Sequence, residues 1–318
     1  MSLSKDFVWG AATAAFQIEG AYNEGGRGPS IWDSPYSDGH VVGNMNGNVA
    51  TDHYHRYKED VALMQKMGLK NYRFSVSWSR LINVKTGKIN EDGKKFYLDL
   101  VKELKTARIE PWVTIYHWDL PIEYHEKGGF LWDGISDVFA SYAATVVDVF
   151  GDSVKNYFIF NEPQCVIEEG YVSGNHAPFL RLPRKEVFKA AHNVLLCIGK
   201  AEKAMRKTLS LNNNYYFLGG DINWFTFAVT SAFFFNKKVA EEYQFTPNGE
   251  FYDGCYFTDA VIKGKFPDNY KKWFDENDYH PSDEDLKIIK CDLDFFGFNF
   301  YRGFFVKNTE KGIKRMPI

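Results

Sequence analysis

Six short, almost continuously apolar segments recur along the 318-residue chain, and longer amphipathic stretches separate them. This alternation restricts the fold more than any other feature, because near-continuous apolar runs are typical of parallel strands covered on both faces. The six runs are Phe7–Phe16, Tyr72–Trp78, Pro111–Tyr116, Tyr157–Phe160, Tyr215–Ile222 and Leu293–Phe300. The pattern predicts parallel strands connected by helices, which is the α/β class.

Helical periodicity fills the stretches between these runs. In residues 54–68, Val61, Met64 and Met67 recur at helical spacing before Gly68. The same periodicity occurs in residues 89–107, 137–151 and 185–207. Repetition of the strand–helix unit favours a (β/α)8 TIM barrel over a doubly wound sheet, and the sequence contains neither a GxGxxG after the first strand nor a GxxxxGKS/T phosphate loop.

The number of strands falls short of a closed barrel. Such a barrel has eight strands, and the residues after Arg302 are too few and too charged to add two to the six apolar runs. No low-complexity or Pro/Gly/Ser-rich linker interrupts the chain, which indicates one domain. We therefore predict a single catalytic-type barrel domain over residues 1–318 that contains about six of the eight β/α units and is incomplete at its C-terminus.

Charge, cysteines and hydropathy argue against several classes of function. The net charge of −3 provides no basic stripe, so no nucleic-acid partner is expected. The four cysteines form no CxxC pair, which favours a reduced cytoplasmic protein. His53 and His55 do not share a helix face and no third ligand is evident, so we expect no metal and no cofactor. No stretch reaches the length of a membrane span, and the first apolar run is interpreted as a strand rather than a signal peptide, because Asp6 offsets Lys5.

Polar side chains follow each of the six runs, at the strand ends where barrels of this type place their chemistry. Amides, an imidazole and a carboxylate can hold sugar hydroxyls, and indole rings can stack on a pyranose. The strand-end residues are Gln17 and Glu19, Arg73 and Trp78, Tyr116 to Asp119, Asn161 and Glu162, Asp221 and Asn223, and Asn299 to Arg302. Turn formation explains Asn161–Glu162–Pro163 taken alone, but it does not explain the same residue types at six strand ends.

Six motifs occur in a specific order: FVWGAATAAFQIEGA, DHYHRYKEDV, YRFSVSWSR, YHWDLP, FNEP and FGFNFY. In order and spacing they resemble the motifs of family 1 glycoside hydrolases, the β-glucosidase-like retaining enzymes. The resemblance extends from Phe7 to about Tyr301. It implies a (β/α)8 barrel that hydrolyses terminal β-D-glucosyl or galactosyl residues of a β-glucoside or short β-linked oligosaccharide.

The resemblance also assigns roles to individual residues. Glu162 matches the general acid/base, which protonates the leaving oxygen and later activates water. Arg73 and Tyr301 match the pair that orients the nucleophile and lowers its pKa. Asn161 matches the amide that holds the sugar 2-hydroxyl. The other predicted substrate contacts are Gln17, His117, Trp118 and Asn299 around the glycone, and Asn223, Trp32 and Gln164 around the aglycone.

Structural roles are the alternative for several side chains. His117 alone would more often be a structural histidine, and Arg73 alone the partner of a core ion pair. The indoles of Trp9 and Trp78 are interpreted as packing residues.

The resemblance implies a second carboxylate that the sequence does not contain. A retaining enzyme needs a nucleophile about 5–5.5 Å from its acid/base. In the family it is the Glu of a Thr/Ser-Glu-Asn-Gly stretch ending strand seven, and this sequence has no such stretch. Glu276–Asn277 lies before the sixth run among charged residues, so we interpret it as a loop.

Two hypotheses remain open. The chain is a retaining β-glycoside hydrolase truncated at its C-terminus, or it is an inactive hydrolase-derived chain that binds sugars or acts in assembly. In either case, we expect either that self-association or a complementing chain covers the open barrel edge, or that the isolated fragment is poorly soluble and unstable. A 6-phospho-β-glucosidase is a further alternative. However, relatives of that type commonly carry Asn where this chain has Phe16, which favours unphosphorylated substrates.

Overall fold

A parallel sheet of six strands organises the described part of the chain. The structure is a computed structural model, and it describes residues 8–33, 35–210, 217–223, 256–299, 306–309 and 312–315. The strands pair in chain order, each parallel to the next. They are β1 (Gly10–Ala12), β2 (Asn71–Ser75), β3 (Glu110–Tyr116), β4 (Asn156–Asn161), β5 (Phe217–Asn223) and β6 (Phe295–Asn299). Each lies within or closely overlaps one of the six apolar runs, so the predicted strands are confirmed.

The helices lie between consecutive strands, as the periodicity predicts. They are α1 (Ala15–Ile18), α2 (His53–Lys66), α3 (Trp78–Leu81), α4 (Glu91–Thr106), α5 (Ile122–Glu126), α6 (Ile135–Phe150), α7 (Pro163–Ile167), α8 (Arg184–Ser210), α9 (Tyr256–Lys263), α10 (Lys271–Glu276) and α11 (Asp283–Ile289). Two short antiparallel hairpins add the pairs Ile82–Asn83 with Lys88–Ile89 and Val306–Thr309 with Gly312–Arg315. None of the helices in the described ranges is both long and apolar enough to cross a membrane.

The first strand is shorter than its apolar run predicts. Only Gly10–Ala12 pairs with β2, and the run then turns into α1, which contains Phe16. The change of direction is fixed by Ser75, whose hydroxyl accepts the Ala15 N–H at 2.7 Å. A Cβ at Gly10 would lie 2.5 Å from the Asn71 carbonyl oxygen, so the close approach of β1 to β2 requires glycine.

The two edges of the sheet differ from its covered centre. Within the described ranges β1 pairs only with β2, and β6 pairs only with β5. The residues of β1 are exposed, and the neighbouring Trp9 is 64% exposed. The interpretation of Trp9 as a packing residue is therefore wrong for the described structure, whereas Trp78 is buried as expected. A strand at the edge of a sheet presents backbone N–H and C=O groups that another chain can pair with.

Helices α6 and α8 pack against each other in the core. The α6 face that packs inward contains Phe139, Ala143, Val146 and Val147, all fully buried. Each large apolar side chain contributes roughly 1.5–3 kcal/mol when buried completely. This packing fixes β3 and β4, and therefore the polar residues at their carboxyl ends.

Candidate active site

The carboxyl end of β4 is irregular in a way that re-aims its last side chains. Phe158 pairs with Gly219 and Asn161 with Asp221, so three steps along β4 match two along β5. Such a bulge places an extra residue on one strand and redirects the chain beyond it. Glu162 follows at once with φ of 48° and ψ of 64°, a left-handed conformation that non-glycine residues seldom adopt. Pro163 then starts α7.

Glu162 is a buried carboxylate that contacts another predicted site residue. Its side chain is 4% exposed, and the Asn299 Nδ2 donates a short hydrogen bond to its Oε1. Asn299 ends β6, and β5 separates β6 from β4 in the sheet. The contact therefore spans two strand positions across the sheet, which local sequence signals do not reveal.

Arg73 and Asn161 form a second connection between strand ends. The Arg73 Nε donates to the Thr114 hydroxyl, and its Nη2 donates to Asn161 Oδ1, both at 2.7 Å. The guanidinium carbon lies 4.1 Å from the centre of the Phe158 ring. The bond from Arg73 to Oδ1 fixes the orientation of the Asn161 amide, and its Nδ2 is the group that can donate to a ligand hydroxyl. Thr114, which sequence reasoning missed, is the one aliphatic hydroxyl residue in the apolar run Pro111–Tyr116 and could have signalled this contact.

Trp118 joins the end of β3 to this pair. Its backbone has φ of +79°, and its Nε1 donates to the Asn161 carbonyl oxygen at 2.9 Å. Trp32 in turn donates from Nε1 to the Trp118 carbonyl oxygen at 3.0 Å. The predicted residues Trp32, Trp118 and Asn161 are thus linked by hydrogen bonds, although they come from three distant segments.

His117 has the properties of a neutral polar contact. Burial lowers the pKa of its imidazole to about 3, and the positive charge of Arg73 acts in the same direction. Its Nδ1 is buried and has no hydrogen-bond partner within the described ranges. A neutral imidazole can donate from one nitrogen and accept at the other, which suits a sugar hydroxyl.

Three aromatic rings surround Trp32, and only Phe16 among them was singled out from the sequence. His176 lies 5.7 Å from its ring centre, Phe179 lies 5.8 Å away edge-on, and Phe16 lies 5.9 Å away. His40 stacks on Phe179 at 4.2 Å. His176 and Phe179 belong to the loop after α7. The sequence has no periodicity there from which the direction of a side chain could be predicted. These rings form an apolar wall beside the strand ends.

The remaining predicted residues differ in burial and in whether the structure describes their side chains. Gln17 is exposed on α1, not at a strand end, and Gln164 is buried on α7. The backbone of Asn223 ends β5, but its side chain lies outside the described residues, as does Tyr301. Their roles stay predictions.

The two histidines considered as a metal pair have separate partners. His53 Nδ1 bonds to Asp60 at 2.6 Å. His55 lies between Asp52 at 2.6 Å and Glu24 at 3.0 Å. No cluster of metal-binding side chains occurs in the ranges that the structure describes.

Asp119, at the end of the YHWD stretch, is a buried carboxyl without a hydrogen bond of ordinary geometry to any described residue. Burial raises its pKa to about 8, partly opposed by the nearby Ser77 hydroxyl and Arg27. The folded protein therefore holds a proton on Asp119 that the unfolded chain releases above pH of about 4. Stability contributed by this group is full at low pH and is lost as the pH rises towards about 8.

Asp119→Asn should abolish that loss, because the amide does not ionise. We expect the free energy of unfolding of the variant, relative to the parent, to increase by ~1–3 kcal/mol between pH 5 and pH 8. Urea denaturation at several pH values measures it. Asp148→Asn, on the exposed face of α6, is the matched control and should follow the parent. Parallel pH profiles of the parent and Asp119→Asn would contradict the prediction.

In comparison with known proteins, nearly the whole chain matches one protein family. The sequence profile described as Glycosyl hydrolase family 1 matches residues 1–317. The chain is 37% identical over 317 residues to Beta-glucosidase A of Acetivibrio thermocellus, with 96% of this chain and 67% of that protein covered. It is 38% identical over 306 residues to the Aryl-phospho-beta-D-glucosidase BglC of Bacillus subtilis, with 95% and 62% covered.

Solved structures agree. The chain superimposes on the Family 1 b-glucosidase from Thermotoga maritima with a TM-score of 0.87 at 34% identity, covering 99% of this chain and 69% of that one. The complex of the Thermotoga maritima enzyme with deoxynojirimycin gives 0.86, with 99% and 70% covered. The chain therefore spans about two thirds of the length of these relatives.

Proposed function

The chain belongs to glycosyl hydrolase family 1, and we propose that it carries the acid/base and most of the glycone contacts of a retaining β-glucosidase. The observation that supports this most is the buried Glu162 at the bulged end of β4, held by Asn299 from β6. The substrate would be a terminal β-D-glucosyl or galactosyl residue. Substituting Glu162 and comparing leaving groups of different basicity tests the assignment.

Glu162 would act twice in the reaction. As an acid it transfers its proton to the glycosidic oxygen while the bond from that oxygen to the anomeric carbon breaks. As a carboxylate it then removes a proton from the water that attacks the glycosyl-enzyme. The bond from Asn299 fixes Oε1, so that the carboxyl group keeps one orientation in both steps.

Neighbouring groups would hold the sugar. Asn161 would donate from Nδ2 to the 2-hydroxyl, in the orientation that the bond from Arg73 to its Oδ1 fixes. His117, Trp118 and Gln17 would contact the other glycone hydroxyls. Trp32, Gln164 and Asn223 would face the aglycone, together with the rings around Trp32.

The nucleophile is proposed to come from a strand that this sequence does not contain. The family's Thr/Ser-Glu-Asn-Gly stretch is absent from the sequence. Arg73 and Tyr301 would orient that carboxylate, Arg73 being fixed by Thr114 and Asn161. Strands that pair with the β1 and β6 edges, from a longer chain, a complementing chain or a second copy, would supply that carboxylate.

The same absence supports a second candidate, a chain that binds sugars or acts in assembly without turnover. The two candidates differ in whether hydrolysis appears once the missing strands are supplied. A cytoplasmic location is proposed because Cys197 and Cys291 are buried as free thiols.

Phosphorylated substrates are a third possibility, because BglC is as similar to this chain as the glucosidases are. We expect a clear preference for glucosides over 6-phosphoglucosides, since Phe16 packs on Trp32 and offers no hydrogen-bond donor. Comparing kcat/KM for p-nitrophenyl glucoside and its 6-phosphate in the complemented enzyme measures the preference. A higher value for the phosphorylated substrate would exclude the glucosidase assignment and favour the 6-phospho type.

A further inference from the structure

The loop between α1 and Trp32 accepts several hydrogen bonds from one buried side chain of the barrel. Arg80 lies on α3, directly after β2, and is 0% exposed. Its Nε donates to Glu19 Oε2 at 2.8 Å, and its Nη2 donates to the carbonyl oxygens of Gly20 at 3.0 Å and Ala21 at 3.3 Å. Its Nη1 reaches the Glu24 carbonyl oxygen at 3.5 Å. A planar guanidinium can hold several acceptors at fixed angles in this way.

The carboxylate of this pair is itself fixed. Glu19 is 4% exposed, and its Oε1 accepts from the Tyr97 hydroxyl at 2.7 Å. The same hydroxyl accepts the Ser77 N–H at 2.8 Å. Tyr54 covers the guanidinium at 4.4 Å. The charge on Arg80 is thus neutralised by one carboxylate, and its remaining donors bond to the backbone.

The segment held by Arg80 has site residues at both ends. Gln17 precedes Glu19 by two residues. At the other end, Gly28 N–H bonds to the Ser79 carbonyl oxygen at 2.9 Å, and Asp33 accepts from Arg27 at 2.8 Å. Trp32 directly precedes Asp33. Its indole donates to the Trp118 carbonyl oxygen, and the Trp118 indole donates to that of Asn161.

From these contacts we infer that Arg80 is a positioning residue, which sets the place of Gln17 and Trp32 relative to the strand ends by holding the backbone of residues 19–24. The importance of this role for sugar recognition rests on the proposed function. The positioning itself does not, because it can be measured without any sugar.

Arg80→Lys separates positioning from charge neutralisation. The ammonium can still pair with Glu19, but it lacks the planar fork that collects the carbonyl oxygens of residues 20, 21 and 24. We expect the indole N–H signal of Trp32, assigned with Trp32→Phe in ¹⁵N-labelled chain, to shift and broaden while the other indole signals outside the site stay in place. Arg206→Lys on α8, where Arg206 also bonds to Glu202 and to a carbonyl oxygen, is the control and should leave Trp32 unchanged.

An unchanged Trp32 signal in folded Arg80→Lys would overturn the inference, as would an equal shift in Arg206→Lys. If Arg80→Lys does not fold, Glu19→Met/Arg80→Met is measured instead, because a buried ion pair can be replaced by apolar residues without loss of stability. A folded double variant with a displaced Trp32 signal supports the inference. One with the parent signal, or one that is also unfolded, overturns it. A displaced Trp32 signal together with unchanged glucoside hydrolysis by the complemented enzyme would contradict the proposed function alone.

Discussion

Residues 1–318 assayed alone, at a confirmed mass of 36.7 kDa, are expected to hydrolyse p-nitrophenyl β-glucoside no faster than buffer does. Glu162 is proposed as the general acid, but the sequence contains no stretch that matches the family's nucleophile. General acid catalysis by itself contributes only ~10²–10⁴-fold, which does not replace the covalent step of a retaining mechanism. At most, we expect weak glucose binding through Gln17, His117 and Asn161.

Adding the C-terminal third of the Thermotoga maritima relative in trans is the positive control. Both edges of the sheet have unpaired donors and acceptors within the described ranges, so a segment that pairs with β1 and β6 should bind and restore turnover. Turnover by the 318-residue chain alone that disappears in Glu162→Gln would show that a nucleophile lies inside this sequence.

The sequence predicted the sheet well because each strand overlaps a short, almost continuously apolar run, which is typical of parallel strands. It also predicted that Arg73, Trp118, Asn161 and Glu162 come together, since the carboxyl ends of parallel strands meet at one side of a sheet. The structure connects the first three by hydrogen bonds, and it places Glu162 next in the chain after Asn161.

Contacts that depend on tertiary geometry could not be predicted in this way. The bulge at the end of β4 leaves no local sequence signal, yet it re-aims Asn161 and Glu162. Glu19 was grouped with the strand-end residues, but it is buried against Arg80, which lies 61 residues further along the chain. The first apolar run was predicted as one strand, whereas small residues in it allow the turn into α1.

Glu162→Gln in the complemented enzyme should have effects that depend strongly on the leaving group. For methyl β-glucoside we expect kcat/KM to fall by ~10²–10⁴-fold, because an alkoxide cannot leave without a proton. For 2,4-dinitrophenyl β-glucoside the fall should be much smaller, since the phenolate leaves unprotonated. The ratio kcat/KM is the quantity to compare, because it covers the steps up to cleavage and excludes slow hydrolysis of the glycosyl-enzyme.

Glu202→Gln is the matched control, since Glu202 is a buried carboxylate that pairs with Arg206 on α8. It should leave the ratio of kcat/KM for the two substrates unchanged. Equal losses on both substrates in Glu162→Gln would contradict the acid assignment.

The most direct test of Glu162 as acid/base is the product that Glu162→Ala, in the complemented enzyme, forms from 2,4-dinitrophenyl β-glucoside in the presence of azide. Azide is an anion that attacks the glycosyl-enzyme without a general base, so it should replace the activated water that the variant cannot produce. Attack on the glycosyl-enzyme inverts the anomeric carbon a second time, and we therefore predict β-glucosyl azide, identified by NMR. Formation of α-glucosyl azide would mean that Glu162 is the nucleophile, and hydrolysis insensitive to azide would mean that it is not the base.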